Sequence, residues 1–284
     1  MPAKNESAEE KYALRSVSRA LDVLETLGGA SDGLGVGEIA ERIGVSRSTA
    51  FSLLQTLVAR GFVADLRIGG ARLYRLGLSL VHLGDRALSE LGIVQIASPV
   101  LQQLTNATQL TSRLAVLDEG CAVAIGRVDA PGPIRMTSSL GRRELPHTSA
   151  VGKALLSGLP DEEVMDVIKR LGMPRRTERT LTEVTEFLRD LGESRSRGYA
   201  LDNEEDNVGI ICVGAPVYGR SSDTVAAISV TGIRLDRTDA DMHALGVTIR
   251  GHADRISLLL GGPTHAALLA QPSKARRSVG KGRF

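Results

Sequence analysis

The sequence predicts an α+β protein in which a linker helix joins an N-terminal winged helix-turn-helix domain to a C-terminal domain with an antiparallel sheet. Three observations predict this order. Residues 33–63 have the spacing of two short helices around a glycine turn, residues 78–92 carry leucines at helical spacing, and later residues alternate paired β-rich runs with helical segments. The predicted limits are a disordered arm at 1–12, the winged domain at 13–77, the linker helix at 78–92, the sheet domain at 93–262 and a disordered basic tail at 263–284.

An apolar stripe identifies each short helix of residues 33–63. Ile39 and Ile43 lie on one side of the first helix, and Gly44 provides the turn. Ser46 has the hydroxyl expected of an N-cap for the second helix, which is predicted to end near Ala59. The apolar positions of the second helix have the spacing of a helix packed on one side, and they are Ala50, Leu53, Leu54, Leu57 and Val58.

The opposite face of the second helix carries small or hydrogen-bonding side chains and no acid that DNA phosphates would repel. Arg47 lies in the first turn, where a recognition helix in the major groove meets base edges. Phe51 lies at the border of the two faces, where it packs in the core or touches a thymine methyl. Together with two arginines of the wing, the predicted DNA-binding residues are Ser46, Arg47, Ser48, Thr49, Phe51, Ser52, Gln55, Arg67 and Arg72.

The flanking segments favour the DNA-binding interpretation. Apolar residues at helical spacing within 17–27 predict a preceding helix, and residues 62–65 and 71–76 flank a Gly69-Gly70 turn as the strands of a wing do. Six arginines and one acid, Asp65, lie between residues 42 and 75. Two helices with a glycine turn also occur in all-helical proteins that never bind DNA, but the wing and the positive charge argue against that alternative.

Composition narrows the cellular setting. The 284 residues are 42% hydrophobic and 24% charged, which is typical of a globular protein. No run approaches the 18 apolar residues of a membrane span, and the start has no signal-peptide apolar region, so we expect a cytoplasmic protein that does not contact membranes. Cys121 and Cys212 are far apart in the sequence, so no metal site and no cofactor is expected.

The C-terminal part is predicted to contain two strand pairs with helices between and after them. The strands are expected at 110–117, 121–128, 208–217 and 224–232, and the helices at 149–157, 161–171, 182–197 and 239–260. The tail carries five basic residues, no acid, two prolines and two glycines, which predicts disorder. It serves as a solubilising segment or adds sequence-independent attraction to phosphates.

Two blocks of the C-terminal half resemble a known family. The segment GYALDNEEDNVGIICVGAPV at 198–217 is similar to the signature of the IclR family of bacterial transcriptional regulators, and LPHTSAVGKALLSGLP at 145–160 resembles a second block of that family. The N-terminal half resembles the family's winged helix-turn-helix, with SRSTAFSLLQTL in the place of the recognition helix. The resemblance extends from about residue 17 to residue 262.

This resemblance implies a repressor or activator that binds double-stranded operator DNA as a homodimer or a dimer of dimers. It also implies that a small metabolite binds in a GAF-like effector domain. Many family members have an arginine after the aromatic or histidine residue of the recognition helix, whereas Ser52 follows Phe51 here. The operator sequence therefore cannot be transferred from relatives, and we expect Arg47 to compensate.

The resemblance further implies an effector pocket formed, by position, by Ala150, Val151, Asp202, Ile210, Cys212, Ser229 and Thr231. Two arguments from the residues agree with it. Ser149 begins a predicted helix whose first N–H groups would suit a carboxylate, and Ser229 and Thr231 are two apart on one strand and face the same side. The polarity of this set favours a small organic acid as the effector.

An enzyme is the alternative function. Cys212, His147 and either Glu204 or Glu205 are the residue types of a nucleophile, a base and an orienting acid, which would suit an enzyme that acts on a carboxylate, with the helix pair serving oligomerisation. Cys212 lies within an apolar run, however, where a thiol packs as a small hydrophobe. We therefore expect no catalytic residues and no enzyme activity.

Two other motifs have simpler explanations than ligand binding. The three acids at 204–206 have the residue types of a metal site, but a loop with solvated or ion-paired acids is favoured. Lys153 follows Gly152 as in a phosphate-binding loop, yet the preceding glycine spacing of such loops is missing. We expect Lys153 on a helix surface.

Overall fold

The computed structural model describes residues 14–30, 32–68, 70–90, 92–131, 140–234 and 237–270. The chain divides into two compact units, Met1–Glu90 and Leu91–Phe284. The predicted α+β class is confirmed, whereas the predicted disordered arm at 1–12 and the last part of the predicted tail, 271–284, lie outside the described residues.

The N-terminal unit is a winged helix-turn-helix. Its elements are α1 (Arg15–Gly28), α2 (Val36–Arg42), α3 (Arg47–Ala59), β1 (Val63–Ile68), β2 (Ala71–Leu76) and α4 (Ser79–Glu90). The strands β1 and β2 pair antiparallel and form the wing. Val23, Leu27, Ile39, Leu54 and Tyr74 pack together in the core. The apolar stripes of α1, α2 and α3 meet in this core, as the helical spacing of these residues in the sequence predicts.

Ser46 begins α3 as predicted. Its backbone is extended, and its side-chain oxygen accepts a hydrogen bond from the Thr49 backbone N–H at 3.1 Å. This bond satisfies one of the N–H groups that a helix start leaves without a partner. The recognition helix therefore begins at a defined residue.

The C-terminal unit is built on an antiparallel sheet. Its described elements are α5 (Ile93–Thr108), β3 (Thr111–Asp118), β4 (Cys121–Val128), β5 (Arg143–Glu144), α6 (Ala150–Leu156), α7 (Asp161–Leu171), α8 (Val184–Arg197), β6 (Ala200–Asn203), β7 (Ile210–Tyr218), β8 (Thr224–Ile233), α9 (Asp239–Leu259) and α10 (His265–Ala270). The strand order is β5-β4-β3-β8-β7-β6. The central strands are the two predicted pairs, and the short outer strands β5 and β6 were not predicted because two and four residues show no clear alternation.

Helices cover both faces of this sheet. Val151 and Leu155 of α6 pack against Ala115, Ala200 and Ala227, which lie on one face. On the other face, α5 packs against β3 and β4, and α9 packs against α5 and β7. This arrangement leaves the part of the first face beyond the start of α6 for a cavity.

The prediction of a fully disordered tail is wrong for its first part, because residues 265–270 form the helix α10. His265 is buried, its Nε2 lies 2.9 Å from the Arg195 carbonyl oxygen, and its backbone N–H donates to Asp254. These long-range contacts hold a short apolar stretch in place. The prediction missed this stretch because it rested on the average composition of the whole tail.

We expect Gly214→Ala to destabilise the C-terminal unit by about 1–3 kcal/mol, because α6 crosses β7 too closely for a side chain. A Cβ at Gly214 would lie 2.8 Å from the Ala150 carbonyl oxygen. Urea denaturation followed by circular dichroism measures the effect. In the control Gly192→Ala, a helical position with open space around it, stability should rise by up to about 1 kcal/mol. Equal effects of the two substitutions would contradict the close approach.

Candidate functional site

The recognition helix exposes most of the predicted DNA-binding residues. Arg47, Ser48 and Ser52 are exposed, and Phe51 exposes 41% of its surface. Thr49 and Gln55 are half-buried, and Gln55 Nε2 is enclosed without a hydrogen-bond partner among the described atoms. Gln55 therefore has to reorient before its amide reaches a base.

The hydroxyl groups at the start of α3 bond to one another and to the helix backbone. Besides the Thr49 N–H, the Ser46 oxygen contacts the hydroxyls of Ser48 at 2.9 Å and of Thr49 at 2.8 Å. Ser52 donates to the Ser48 carbonyl oxygen at 3.1 Å. These bonds hold the exposed face in a defined shape.

The two predicted arginines of the wing differ in their surroundings. Arg67 is exposed, whereas two N–H groups of Arg72 donate to one carboxylate oxygen of Asp65, at 2.8 and 2.5 Å. This hydrogen bonding lowers the pKa of Asp65. The Arg72 guanidinium also lies 5.6 Å from the ring centroids of both Phe51 and Tyr74. Arg72 therefore ties the wing to the recognition helix.

The C-terminal unit contains a cavity of about 620 Å³. Its floor is a row of side chains across four neighbouring strands, because Thr231 pairs with both Thr111 and Cys212, and Cys212 pairs with Asp202. The complete lining is Thr111, Arg113, Arg142, Arg143, Glu144, Leu145, Ser149, Arg176, Asp202, Asp206, Asn207, Val208, Ile210, Cys212 and Thr231.

Four arginines line the cavity, and Arg113 is the buried one. Its guanidinium donates to Glu144 Oε1 at 2.6 Å. Burial by itself would lower the pKa of Arg113, but the charge of Glu144, its hydrogen bond to the guanidinium and the nearby Cys212 and Asp202 together outweigh burial, and the pKa is raised. Arg143 and Arg176 are more exposed and form ion pairs with acids at the rim, including Asp206. The wall is suited to a ligand with negative charge.

Burial favours the neutral forms of two acidic groups on the cavity floor. Burial, and after it the negative charge of Glu205, raises the pKa of Asp202 from 3.8 to about 7. Burial, and after it the charge of Asp202, raises the pKa of the Cys212 thiol. The thiol lies 3.3 Å from the Thr231 hydroxyl. The floor therefore presents hydrogen-bonding groups more than charges.

Family models match both units of the chain. The helix-turn-helix domain model of IclR matches residues 16–66, and the model of the C-terminal part of the bacterial transcriptional regulator IclR matches residues 85–258. The chain belongs to the IclR family of bacterial transcriptional regulators. The family expected from the sequence is confirmed, and the protein is a DNA-binding transcriptional regulator.

Individual relatives of this IclR-family regulator cover most of its length. The transcriptional regulator KdgR of Escherichia coli K12 is 31% identical over 249 residues, which are 88% of this chain and 94% of the relative. The repressor AllR of the same strain is 31% identical and covers 93% of this chain and 96% of its own. The crystal structure of Thermotoga maritima IclR has a TM-score of 0.74 and 30% identity over 88% of this chain and all of that one.

A more distant structure shares the fold alone. An IclR homologue from Microbacterium hydrocarbonoxydans, solved in complex with 4-hydroxybenzoate, has a TM-score of 0.72 and 21% identity. It covers 86% of this chain and 98% of its own. Among the described residues of the present regulator, no helix is long and apolar enough to cross a membrane.

The predicted effector residues of this IclR-family regulator divide into two groups. Ser149, Asp202, Ile210, Cys212 and Thr231 line the cavity. The other three, Ala150, Val151 and Ser229, are buried beside it and do not line it.

The close approach of α6 to β7 explains why Ala150, Val151 and Ser229 are buried. Ser229 pairs with Gly214, on which the start of α6 rests, so its hydroxyl is covered and has no hydrogen-bond partner among the described atoms. Ser149 caps α6 by accepting the Gly152 N–H at 3.1 Å. One of the N–H groups expected to face a carboxylate is therefore already bonded.

The arginines of the cavity are the residues that sequence reasoning missed. The sequence did offer a signal at position 113, where a charged residue lies in a strand and is followed by apolar residues, because such a charge is buried only when it is paired or functional. Arg142, Arg143 and Arg176 carried no comparable signal, since their approach to position 113 depends on the fold.

The expectation that Lys153 lies on a helix surface is wrong. It is fully buried, and its ammonium group donates to the Leu201 carbonyl oxygen at 2.8 Å and lies 2.7 and 3.0 Å from carboxylate oxygens of Glu205 and Asp190. Every residue of α6 is buried, because the helix contacts both the sheet and α8, so a charge is tolerated at position 153 only when it is paired.

The acids at 204–206 form ion pairs. Glu204 accepts the Gly209 N–H and lies near Arg179 and Arg234, while Asp206 pairs with Arg176. In the parts of the chain that the structure describes, no three histidine, cysteine or acidic side chains are grouped as metal ligands would be. His147, the base of the alternative catalytic interpretation, has its Nε2 3.2 Å from the Pro174 carbonyl oxygen.

We expect Asp202→Asn to remove a pH dependence of stability. The pKa of Asp202 is higher in the folded state than the unfolded value of 3.8, so the folded state binds more protons between pH 3.8 and about 7. The free energy of unfolding of the wild type should therefore fall as pH rises through that window, relative to the variant, by up to about 1.4 kcal/mol per pH unit. Urea denaturation at pH 5 and pH 8 measures the difference.

The exposed Asp166 provides the matched control for this prediction. The Asp166→Asn variant should retain the wild-type pH dependence. If Asp202→Asn and the wild type lose stability in parallel between pH 5 and pH 8, Asp202 does not carry the raised pKa.

Proposed function

We propose that this regulator recognises a specific operator through the start of α3 and the wing, and that a small organic anion bound in the C-terminal cavity controls this recognition. On the DNA side, the exposed Arg47 and Ser48 in the first turn of α3 and the exposed Arg67 on the wing support the proposal. A recognition helix contacts base edges with its first turns, and arginines on a wing contact phosphates.

The buried Arg113 is the observation that carries the ligand class. A buried guanidinium whose charge faces a cavity favours an anion, and the three further arginines around the same cavity strengthen this preference. Asp202, Cys212 and Thr231 on the floor provide hydrogen bonds for a hydroxyl or carbonyl group of the ligand. A hydroxy acid or a keto acid fits both the arginines around the cavity and the hydrogen-bonding groups of its floor. A protonated Asp202 does not repel the carboxylate of such a ligand.

We infer that the regulator acts in the cytoplasm as a homodimer or a dimer of dimers. Exposed apolar side chains on α1 and α4, among them Val17, Leu21 and Val81, support self-association. Effector binding would then change the spacing of two recognition helices, which read half-sites about one helical turn or a multiple apart. We also propose that the sheet domain is GAF-like and that residues 78–92 form the helix that links the two domains.

Enzyme activity is not part of this proposal. A nucleophilic cysteine needs a thiolate, and burial raises the pKa of the Cys212 thiol. His147, the proposed base, is itself buried, which lowers its pKa, and its ring contacts Pro174.

An electrophoretic mobility shift with DNA from upstream of the protein's own gene tests the DNA half of the proposal. We expect tighter binding to this DNA than to an unrelated duplex, and a steep fall in affinity between 50 and 200 mM salt, because phosphate contacts release counterions. Equal affinity for both duplexes would overturn sequence-specific recognition.

Arg47→Ala should weaken operator binding by about 1–3 kcal/mol if the guanidinium makes a bidentate base contact. Binding is measured by fluorescence anisotropy at fixed salt. Arg189→Gln removes an exposed arginine of α8 and serves as the control with unchanged operator affinity. Wild-type affinity in Arg47→Ala would assign base recognition to another side chain.

Arg113→Gln should weaken binding of an organic anion by about 1.5–3 kcal/mol, the usual contribution of a hydrogen bond to a charged group. The anion is first chosen by a thermal-shift screen of hydroxy acids, sugar acids and aromatic acids on the wild type. Calorimetry then compares Arg113→Gln with Arg189→Gln, which should bind as the wild type does. Operator binding without the anion should survive in both variants, and an unchanged anion affinity in Arg113→Gln would remove Arg113 from the site.

A further inference from the structure

We propose that Phe51 recognises the C5-methyl group of a thymine in the operator. This inference rests on the proposed function, because it requires α3 in the major groove. Phe51 leaves 41% of its surface exposed, whereas Phe187 in the C-terminal unit is fully buried. Removal of a large apolar side chain from water is favourable. An apolar contact in the groove would therefore stabilise the complex when the ring is exposed on a DNA-reading helix.

The ring of Phe51 is held in place before DNA arrives. The Arg72 guanidinium lies 5.6 Å from its centroid, and hydrogen bonds to Asp65 keep that guanidinium on the wing. A cation over one ring face stabilises the ring orientation, while the remaining surface stays open. A side chain fixed in this way loses little conformational entropy on binding.

Two polar neighbours of Phe51 on α3, Ser52 and Thr56, already use their hydroxyl donors within the helix. Ser52 donates to the Ser48 carbonyl oxygen, and Thr56 donates to the Ser52 carbonyl oxygen at 3.0 Å. An apolar ring is therefore the open recognition surface beside them. In the major groove, thymine is the base that presents a methyl group, so this surface favours thymine over cytosine.

Uracil substitution tests the proposal directly. Binding sites for the full-length protein are first selected from a pool of random DNA duplexes. Each thymine of the enriched site is then replaced by deoxyuridine, which removes the methyl group and keeps base pairing. For the wild type, the replacement of one contacted thymine in a single half-site should weaken binding about fourfold, the effect of one buried methyl group (~0.8 kcal/mol).

Phe51→Ala should bind the thymine and uracil duplexes equally, which makes the coupling between ring and methyl measurable. Alanine favours the helix, and a thermal melt confirms that the variant folds. Phe51→Leu keeps an apolar side chain and should retain part of the preference. Arg189→Gln, at an exposed position of α8 outside the DNA-binding unit, should retain all of it.

The outcomes separate this proposal from the function on which it rests. Selection without any enriched sequence would overturn sequence-specific recognition itself. An enriched site whose affinity does not change with uracil would overturn methyl recognition alone. A uracil effect of the same size in Phe51→Ala would assign the methyl contact to another residue, and it too would overturn the proposal.

Discussion

The effector domain depends on one buried charge, the ammonium group of Lys153. It joins α6 to α8 through Asp190, to β6 through the Leu201 carbonyl oxygen, and to the turn after β6 through Glu205. Burial by itself would lower the pKa of Lys153, but the two carboxylates outweigh burial and raise it. Removing one partner of such a cluster costs roughly 3–5 kcal/mol, because the others remain buried without compensation. The cluster therefore fixes the turn on which one wall of the cavity is built.

The electrostatics of the cavity follow from this arrangement. The backbone N–H of Glu205 donates to Asp202 at 2.8 Å, while the carboxylate of Glu205 faces Lys153. Burial and the nearby charge of Glu205 raise the pKa of Asp202 to about 7, and Arg113 lies on the same face of the sheet, on β3. A ligand in the cavity meets positive charge on one side and hydrogen-bonding groups on the other. In the N-terminal unit, an ion pair at the surface also connects two elements. Arg72 pairs with Asp65 on the wing and lies over the ring of Phe51 on α3.

Much of the fold could be predicted because its signals are local. Helical spacing identified α3 and its partners, the hydroxyl of Ser46 marked the start of α3, and alternation identified the two central strand pairs. The resemblance to IclR regulators then indicated the cavity floor at Asp202, Cys212 and Thr231. Ser229 shares a strand face with Thr231, but a helix covers it, and strand alternation contains no information about what covers a face.

By itself, therefore, the sequence determined the class of fold, the family and the bounds of the helix proposed to read DNA, because periodicity and capping act over a few neighbouring residues. Only the tertiary structure decided which charges are buried and what faces them. Lys153 and Glu205 are 52 positions apart, and Arg113 and Glu144 are 31 apart. The burial of a charged side chain is stable only when a partner arrives from elsewhere in the chain, and that encounter depends on how helices pack on the sheet.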